Sequence, residues 1–264
     1  MIVNAGSGHP GGALGAAEIF AALYGAVMSH DPARPEWPDR DRFVLSNGHI
    51  CAAWYSVLSL CGYLDRAELA TFRIMGSRLQ GHPAREKLPG IVETSSGPLG
   101  QGLSVANGLA LAKRLNGEKG RVYCLVGDGE LQEGMVWEAA MTAAHRGLAT
   151  VTLVVTDNGL QIDGAVSRIK NLEPLAPRFA SFGWNALTVD GHDLPKLLEA
   201  FASVSPTAPT AIVAKTVMSK GISFMENVAV WHGKCPSKEE AARALEEIGR
   251  ADAFQDFALP GGVL

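Results

Sequence analysis

The sequence predicts an α/β fold, a doubly wound and mostly parallel sheet flanked by helices, and three observations carry that expectation. Residues 122–126 and 150–155 are apolar runs separated by an alanine-rich stretch of helical spacing. Strands buried on both faces read as such continuous runs, and parallel neighbours need a crossover helix between them. A second strand–helix–strand unit follows at 186–189, 194–204 and 210–215. Finally, Gly127-Asp128-Gly129 and Asp157-Asn158-Gly159 interrupt the chain where two successive strands end, and ligands of open α/β sheets bind at such carboxyl ends.

The elements follow in order. Over 12–28, Leu14, Ile19, Leu23 and Val27 recur at helical spacing after a glycine-rich opening. Residues 31–42 are rich in proline and charge, which predicts a loop; 43–45 form a short strand running into Ser46-Asn47-Gly48-His49. Helices are expected at 52–60 and 66–72, a loop at Gly81-His82-Pro83, and a helix at 103–115 introduced by Ser95-Ser96-Gly97-Pro98-Leu99-Gly100. The strand at 122–126, the helix at 135–145 and the strand at 150–155 come next, and after the last unit a polar helix covers 238–248. Without repeats, low-complexity tracts or a linker, residues 1–264 are expected to form a single domain.

Lys plus Arg number 23 and Asp plus Glu 27, a net charge of −4. That balance argues against nucleic acid and against an anionic membrane surface as partners. Charged residues make up 19% of the chain, below the average of about 25%, which suggests surface buried against another chain. Cys51, Cys61, Cys124 and Cys235 form neither a CxxC pair nor a zinc-like spacing; reduced, packed thiols are expected. With no signal-like start and no long apolar span, a cytoplasmic location is expected.

Asp128 and Asn158 at neighbouring strand ends would bring together a carboxylate and an amide oxygen, with backbone N–H groups of the glycine turn free. Such a set suits Mg²⁺ and a phosphate, because Mg²⁺ takes one or two carboxylates and completes its shell from carbonyls, water and phosphate oxygens. The plainer alternative is a strand-to-helix turn capped by Asp128, followed by an ordinary Asn-Gly turn. His9, His82 and His232 stand beside glycine or proline and could equally be loop residues bonded to backbone. His30, His145 and His192 match no motif and are read as structural or solvated; Trp54, Trp137, Trp184 and Trp231 are read as packing or interface residues. Gly6-Ser7-Gly8-His9-Pro10-Gly11 is a literal GxGxxG, but only Met1 to Ala5 precede it and Pro10 sits in the turn, so a dinucleotide site is set aside.

GDG followed, after 28 residues, by Asn resembles the thiamine diphosphate signature, and GDGELQEG with DNGLQIDG resembles the transketolase family in particular. SGHPGG from Ser7, DRFVLSNGH from Asp41, GHP from Gly81, SSGPLGQG from Ser95 and WHG from Trp231 occur in that family's order. The resemblance implies a thiamine diphosphate-binding fold of the diphosphate-binding type. It places Mg²⁺, or Ca²⁺ or Mn²⁺, on Asp128, Asn158 and the main-chain oxygen of Leu160. Gly127, Gly129, His49 and His232 would hold the diphosphate, while Gly97, Pro98, Leu99 and Ile162 would lie against the cofactor. His9, His49, His82 and His232 would line the substrate channel and move protons, and Glu133 would join a network between active sites. Histidine suits that work because it titrates near neutrality. Cys235 departs from the small apolar residue more common after WHG.

The activity so implied is transfer of a two-carbon ketol unit from a ketose or its phosphate to an aldose or its phosphate. In the family a pyrimidine-binding domain supplies the glutamate and aromatic residues that the cofactor also needs, and a C-terminal domain follows; neither is expected within these 264 residues. The chain is therefore expected to be the N-terminal subunit of a split transketolase, working in an α2β2 heterotetramer with a C-terminal subunit. Relatives usually carry a helix ahead of SGHPGG, so a shortened start is also expected. Alternatives are another thiamine-dependent transferase subunit, like 1-deoxyxylulose-phosphate synthase or dihydroxyacetone synthase, or a non-catalytic cofactor-binding regulatory subunit.

Overall fold

Side chains alternate across a strand, and here that alternation sorts the apolar residues into two cores. The computed structural model describes residues 1–249. Helices α1 (Ile2–Ala5), α2 (Pro10–Gly15) and α3 (Ala17–Ala22) precede strand β1 (Arg42–Leu45) and helix α4 (Cys51–Leu60). Helix α5 (Gly102–Asn116), strand β2 (Val122–Gly127), helix α6 (Gly134–His145) and strand β3 (Val151–Asp157) form the centre. A hairpin of β4 (Leu160–Gln161) and β5 (Gly164–Ala165) leads to α7 (Val166–Ile169) and α8 (Leu175–Ser181). Strand β6 (Asn185–Asp190), helix α9 (Leu194–Ala202), strand β7 (Thr210–Lys215) and helix α10 (Lys238–Ile248) complete it.

The five long strands form one parallel sheet in the order β1-β2-β3-β7-β6. Phe43, Leu45, Tyr123, Leu125, Val154 and Ile212 pack on one face against α3, α4 and α9 through Phe20, Trp54 and Phe201. Their strand neighbours Val44, Cys124, Val126, Leu153, Val155 and Val213 pack on the other face against α5, α6 and α8 through Leu103, Ala139 and Phe179. The doubly wound architecture is thus the consequence of strands that are apolar on both sides. Because β2 and β3 are neighbours, the two glycine-bearing turns that end them are neighbours too.

The expected helix over 12–28 is broken. Cβ atoms added to Gly11 or Gly15 would stand 2.8 Å from the Trp231 carbonyl or the Val217 carbonyl. These glycines let α2 press onto the 217–218 and 229–232 segments, and that tertiary contact outweighs helical periodicity. The GxGxxG glycine at 11 therefore faces protein, and the segment before it is helical. The helix ends in a wide turn at Leu23–Val27, closed by the Met28 N–H donating to the Leu23 carbonyl at 2.8 Å. Residues 66–72 make a 3-10 segment, Arg66–Thr71, in place of an α-helix. Helices α1 and α8 and the β4–β5 hairpin were not expected from sequence. The polar helix at 238–248 forms as expected, with Ser237 and Glu240 making a reciprocal capping box.

Candidate active site

Both strand-end turns gather around one buried carboxylate. Asp128 is 4% exposed; its Oδ1 accepts the Gly129 N–H at 2.8 Å and its Oδ2 the Gly159 N–H at 2.6 Å. Burial disfavours its charged form, raising the pKa to about 7. Among the described residues no cation forms an ion pair with it, so the charge lacks the partner that buried carboxylates need. Asn158 lies beside it, its Oδ1 accepting the Leu160 N–H at 2.9 Å. Asp128 and Asn158 border a cavity of about 340 Å³ with Asp157, Glu173, Lys215 and Thr216. The Asp157 carboxylate is paired with Lys215, which also reaches Glu173 at 2.7 Å.

This donor set fits Mg²⁺. Each Asp128 oxygen and the Asn158 amide oxygen keep a free lone pair, and hard cations of this kind are held by few carboxylates with carbonyl and phosphate oxygens. Among the described residues no three His, Cys, Asp or Glu side chains group to hold a metal; a main-chain oxygen such as that of Leu160 would have to complete the set. Gly129 fits the tight turn, where an added Cβ would stand 3.2 Å from the Gln161 side chain.

A second carboxylate, missed in the sequence, ties the site together. Glu130 is 3% exposed; it accepts the Ser46 hydroxyl and, at 2.8 Å, the Gly100 N–H through Oε1, and the Gly127 N–H at 3.1 Å through Oε2. Ser46 in turn accepts the Gly102 N–H at 3.0 Å. The end of β1, the 95–100 loop and the GDG turn are thereby fixed to one another. The GDGELQEG motif contained Glu130, but nothing local distinguished it from a solvated glutamate.

The four histidines expected in the channel converge from four separate segments. His9 precedes α2, His49 follows β1, His82 sits in the loop before α5, and His232 closes a 3-10 segment, Ala229–His232. Ring centroids lie 5.1 Å apart for His9–His49, 5.6 Å for His9–His232, 5.0 Å for His49–His232 and 6.3 Å for His9–His82. All four are half-buried. Burial first, then mutual repulsion, lowers the pKa of His9 to about 4 and of His49 to about 3; burial also lowers those of His82 and His232. The cluster is therefore neutral at pH 7, each ring offering one N–H donor and one bare nitrogen.

Several polar atoms around this cluster are buried without a hydrogen-bond partner among the described residues: His9 Nδ1, Asn47 Oδ1 and Ser96 Oγ. Buried polar groups are nearly always paired, so these three mark a cradle for a polar ligand, and Asn47 and Ser96 are further residues the sequence reading passed over. Gly97, with φ of 145°, brings the 95–100 loop to His82, whose ring lies 3.8 Å from where its Cβ would be. Pro98 and Leu99 are exposed, as is Ile162 at 70%. Glu133 begins α6 on the surface against Gly100, where an added Cβ would clash at 2.6 Å. His30 bonds Tyr63 and Tyr24, and His192 bonds Glu18 and Val217, both structural as read. Trp54, Trp184 and Trp231 are buried packing residues.

A parallel α/β sheet with a carboxylate–amide pair at two adjacent strand ends, and a histidine cluster gathered from four segments, is a fold that binds its ligand at the carboxyl ends of its strands. Residues 1–264 match the family described as transketolase, thiamine diphosphate binding domain, and the chain belongs to that family. It is 38% identical to an apulose-4-phosphate transketolase subunit from Actinobacillus succinogenes, over 94% of this chain and 91% of that one. It is also 38% identical to the 6-deoxy-6-sulfo-D-fructose transketolase subunit SqwG of a Clostridium species, over 94% and 90%. The structure of transketolase from Leishmania mexicana superposes with a TM-score of 0.88 at 35% identity, covering 94% of this chain and 39% of that one. The fold, thiamine diphosphate as cofactor, and a ketol-transferring enzyme completed by a second chain agree with the sequence expectation. No helix among the described residues is long and apolar enough to cross a membrane.

Proposed function

We propose that this chain holds the diphosphate end of thiamine diphosphate in a two-chain transketolase, the pyrimidine-binding and C-terminal domains being supplied by the partner in an α2β2 assembly. The one observation that carries the reading is the convergence of His9, His49, His82 and His232, tied to the strand ends by Asn47, whose side chain lies against Gly127, and by the 229–232 segment, which packs on β4 just past Asn158. The relatives covered over nearly their full length are themselves named as transketolase subunits. On this reading the whole described chain serves as one cofactor domain.

Asp128, Asn158 and the Leu160 carbonyl would hold Mg²⁺, or Ca²⁺ or Mn²⁺ in its place, and Gly127, Gly129, His49 and His232 the diphosphate; Gly97, Pro98, Leu99 and Ile162 would lie along the ring system. Thiamine diphosphate, when bound, supplies a carbon nucleophile for the ketose carbonyl and a sink for the electron pair released on cleavage. The chain's own work is positioning and proton transfer. Neutral His9 and His82 can donate N–H bonds to substrate hydroxyls and accept protons from them, because burial keeps both rings uncharged. Glu130 fixes the 95–100 loop and the GDG turn so that both present one surface. Glu133, exposed at the start of α6, would join the contact between active sites, together with the exposed Met135 and Met141.

The substrates would be a ketose donor and an aldose acceptor carrying an anionic end group, since the sugars named for the two subunit relatives bear a phosphate or a sulfonate. A cytoplasmic setting fits the free thiols of Cys51, Cys61, Cys124 and Cys235. The test is reconstitution with a chain carrying the pyrimidine-binding half. Ketol transfer by the mixture, and by neither chain alone, is the expected outcome; no transfer with any such chain, despite cofactor uptake, would refute the enzymatic reading.

A further inference from the structure

Helix α4 meets the histidine cluster twice, first through His49 at its start and again through the loop that carries His82. The 3-10 segment Gly48–Ile50, which holds His49, runs directly into Cys51. Cys51 and Tyr55 stand four residues apart and so share one face of the helix. That face meets the loop: the Tyr55 hydroxyl donates to the Gln80 carbonyl at 2.9 Å, and the Cys51 thiol donates to the Gly81 carbonyl at 3.2 Å. Both side chains are fully buried. Burial raises the pKa of the thiol to about 12 and pushes that of the phenol up as well, so each keeps its proton and remains a donor at neutral pH. The two carbonyls so held belong to the two residues immediately before His82. Immediately after it, the Pro83 carbonyl accepts the Ser96 N–H at 3.0 Å. The His82 backbone is thereby clamped between α4 and the 95–100 loop, with its ring centroid 6.3 Å from that of His9.

We propose that Tyr55 is a positioning residue for His82, holding the Gln80 peptide so that the imidazole keeps a fixed place relative to His49 at the start of the same helix. The phenol suits this task because its ring is set edge-on against Phe72, with centroids 6.1 Å apart, and its hydroxyl has no other hydrogen bond among the described residues. Buried as it is, Tyr55 acts through the backbone and touches neither sugar nor cofactor. A shift of about 1 Å in a proton-transferring group is felt in turnover far more than in binding. The assignment rests on the reading of His82 as such a group in a two-chain transketolase, and it adds a residue that lies outside every motif of the resemblance.

Tyr55→Phe removes the donor and keeps the buried ring. In the reconstituted complex kcat should fall about tenfold, while the ketose KM and the affinity for thiamine diphosphate stay within about twofold. Added to His82→Ala, the same substitution should lower turnover no further, because nothing is left to position. A tenfold loss that persists on the His82→Ala background, a loss carried by KM or cofactor affinity, or no loss at all overturns the proposal. If Tyr55→Phe does not fold, Cys51→Ala gives the same comparison, with an expected loss of about threefold that also vanishes on His82→Ala. Should the unaltered complex show no transfer, the two-chain reading fails by itself and the isolated chain still decides the positioning role. Tyr55→Phe should then move the His82 ring resonances in NMR spectra and leave those of His145 and His192 in place; an unmoved His82 overturns the assignment.

Discussion

The two halves of the site satisfy their polar groups in opposite ways. At the ends of β2 and β3, Asp128 and Asn158 are bonded to backbone N–H groups of residues next to them in the two turns. Around the histidines, by contrast, ring meets ring, and His9 Nδ1 has no partner among the described residues. The first half is local and prearranged by sheet register; the second exists only when four distant segments have packed. Burial pushes the Asp128 carboxyl up to about 7 with no cation paired to it among the described residues, whereas burial keeps the histidine half neutral. On the proposed function, one region would fix a cation and the other would exchange protons with a bound sugar.

The comparison is broken most severely at Asp128. Asp128→Ala should abolish metal-dependent uptake of thiamine diphosphate by the complex, with affinity down at least about 100-fold, since the buried carboxylate of the cavity that no lysine or arginine neutralises is lost. Calorimetry with and without Mg²⁺ measures it, and an unchanged affinity would put the metal elsewhere. Next comes His82→Ala, expected to lower turnover about 100-fold, the size typical of acid–base catalysis, with cofactor affinity nearly intact. A selective loss of cofactor binding would instead move His82 into the first half of the site.

How much of this was legible depended on sequence distance. The strands could be read because both faces of each are apolar, and the Asp128–Asn158 pair because register alone joins adjacent strand ends. The histidines were recognisable only through their motifs, since nothing in a lone Gly-His-Pro says what it faces. Glu130 was invisible because its partners Ser46 and Gly100 lie 84 and 30 residues away. The helix over 12–28 was misread because its break is imposed by residues 217 and 231. Helix α8 hid behind Pro174 and Pro177, although proline is tolerated in a first turn.

Glu130 sits at the joint between the two regions, so Glu130→Gln is expected to affect both at once. A carboxamide must turn an N–H toward one of the Ser46, Gly100 or Gly127 donors, costing about 2 kcal/mol and lowering Tm by about 5 °C. Differential scanning calorimetry without cofactor checks it; an unchanged Tm would show that the clamp carries no strength. The histidine half has an acid response of its own. His9 and His49 take up protons in the folded chain only near pH 4 and pH 3, but near 6.5 once unfolded. Between those limits the unfolded state binds more protons, so stability falls as pH drops from about 6.5 toward 4. Thermal melts of His49→Gln across that window should show a shallower decline than the unaltered chain; an identical slope would mean that His49 is not protected from protonation.

The smallest effect on the chain itself is expected at Ile162, and that smallness is what makes it informative. With 70% of its surface exposed, it contributes little to the fold, and Ile162→Gln should change stability by no more than about 0.5 kcal/mol. If the residue lies along the cofactor's ring system, the apolar surface it would bury there is lost, and affinity for thiamine diphosphate in the complex should fall about tenfold. A change confined to cofactor affinity places Ile162 in the carboxylate half of the site, continuous with the Gly129–Gln161 contact. A change confined to assembly of the two chains, read by analytical ultracentrifugation, would assign it to the partner surface proposed around the exposed Met135 and Met141.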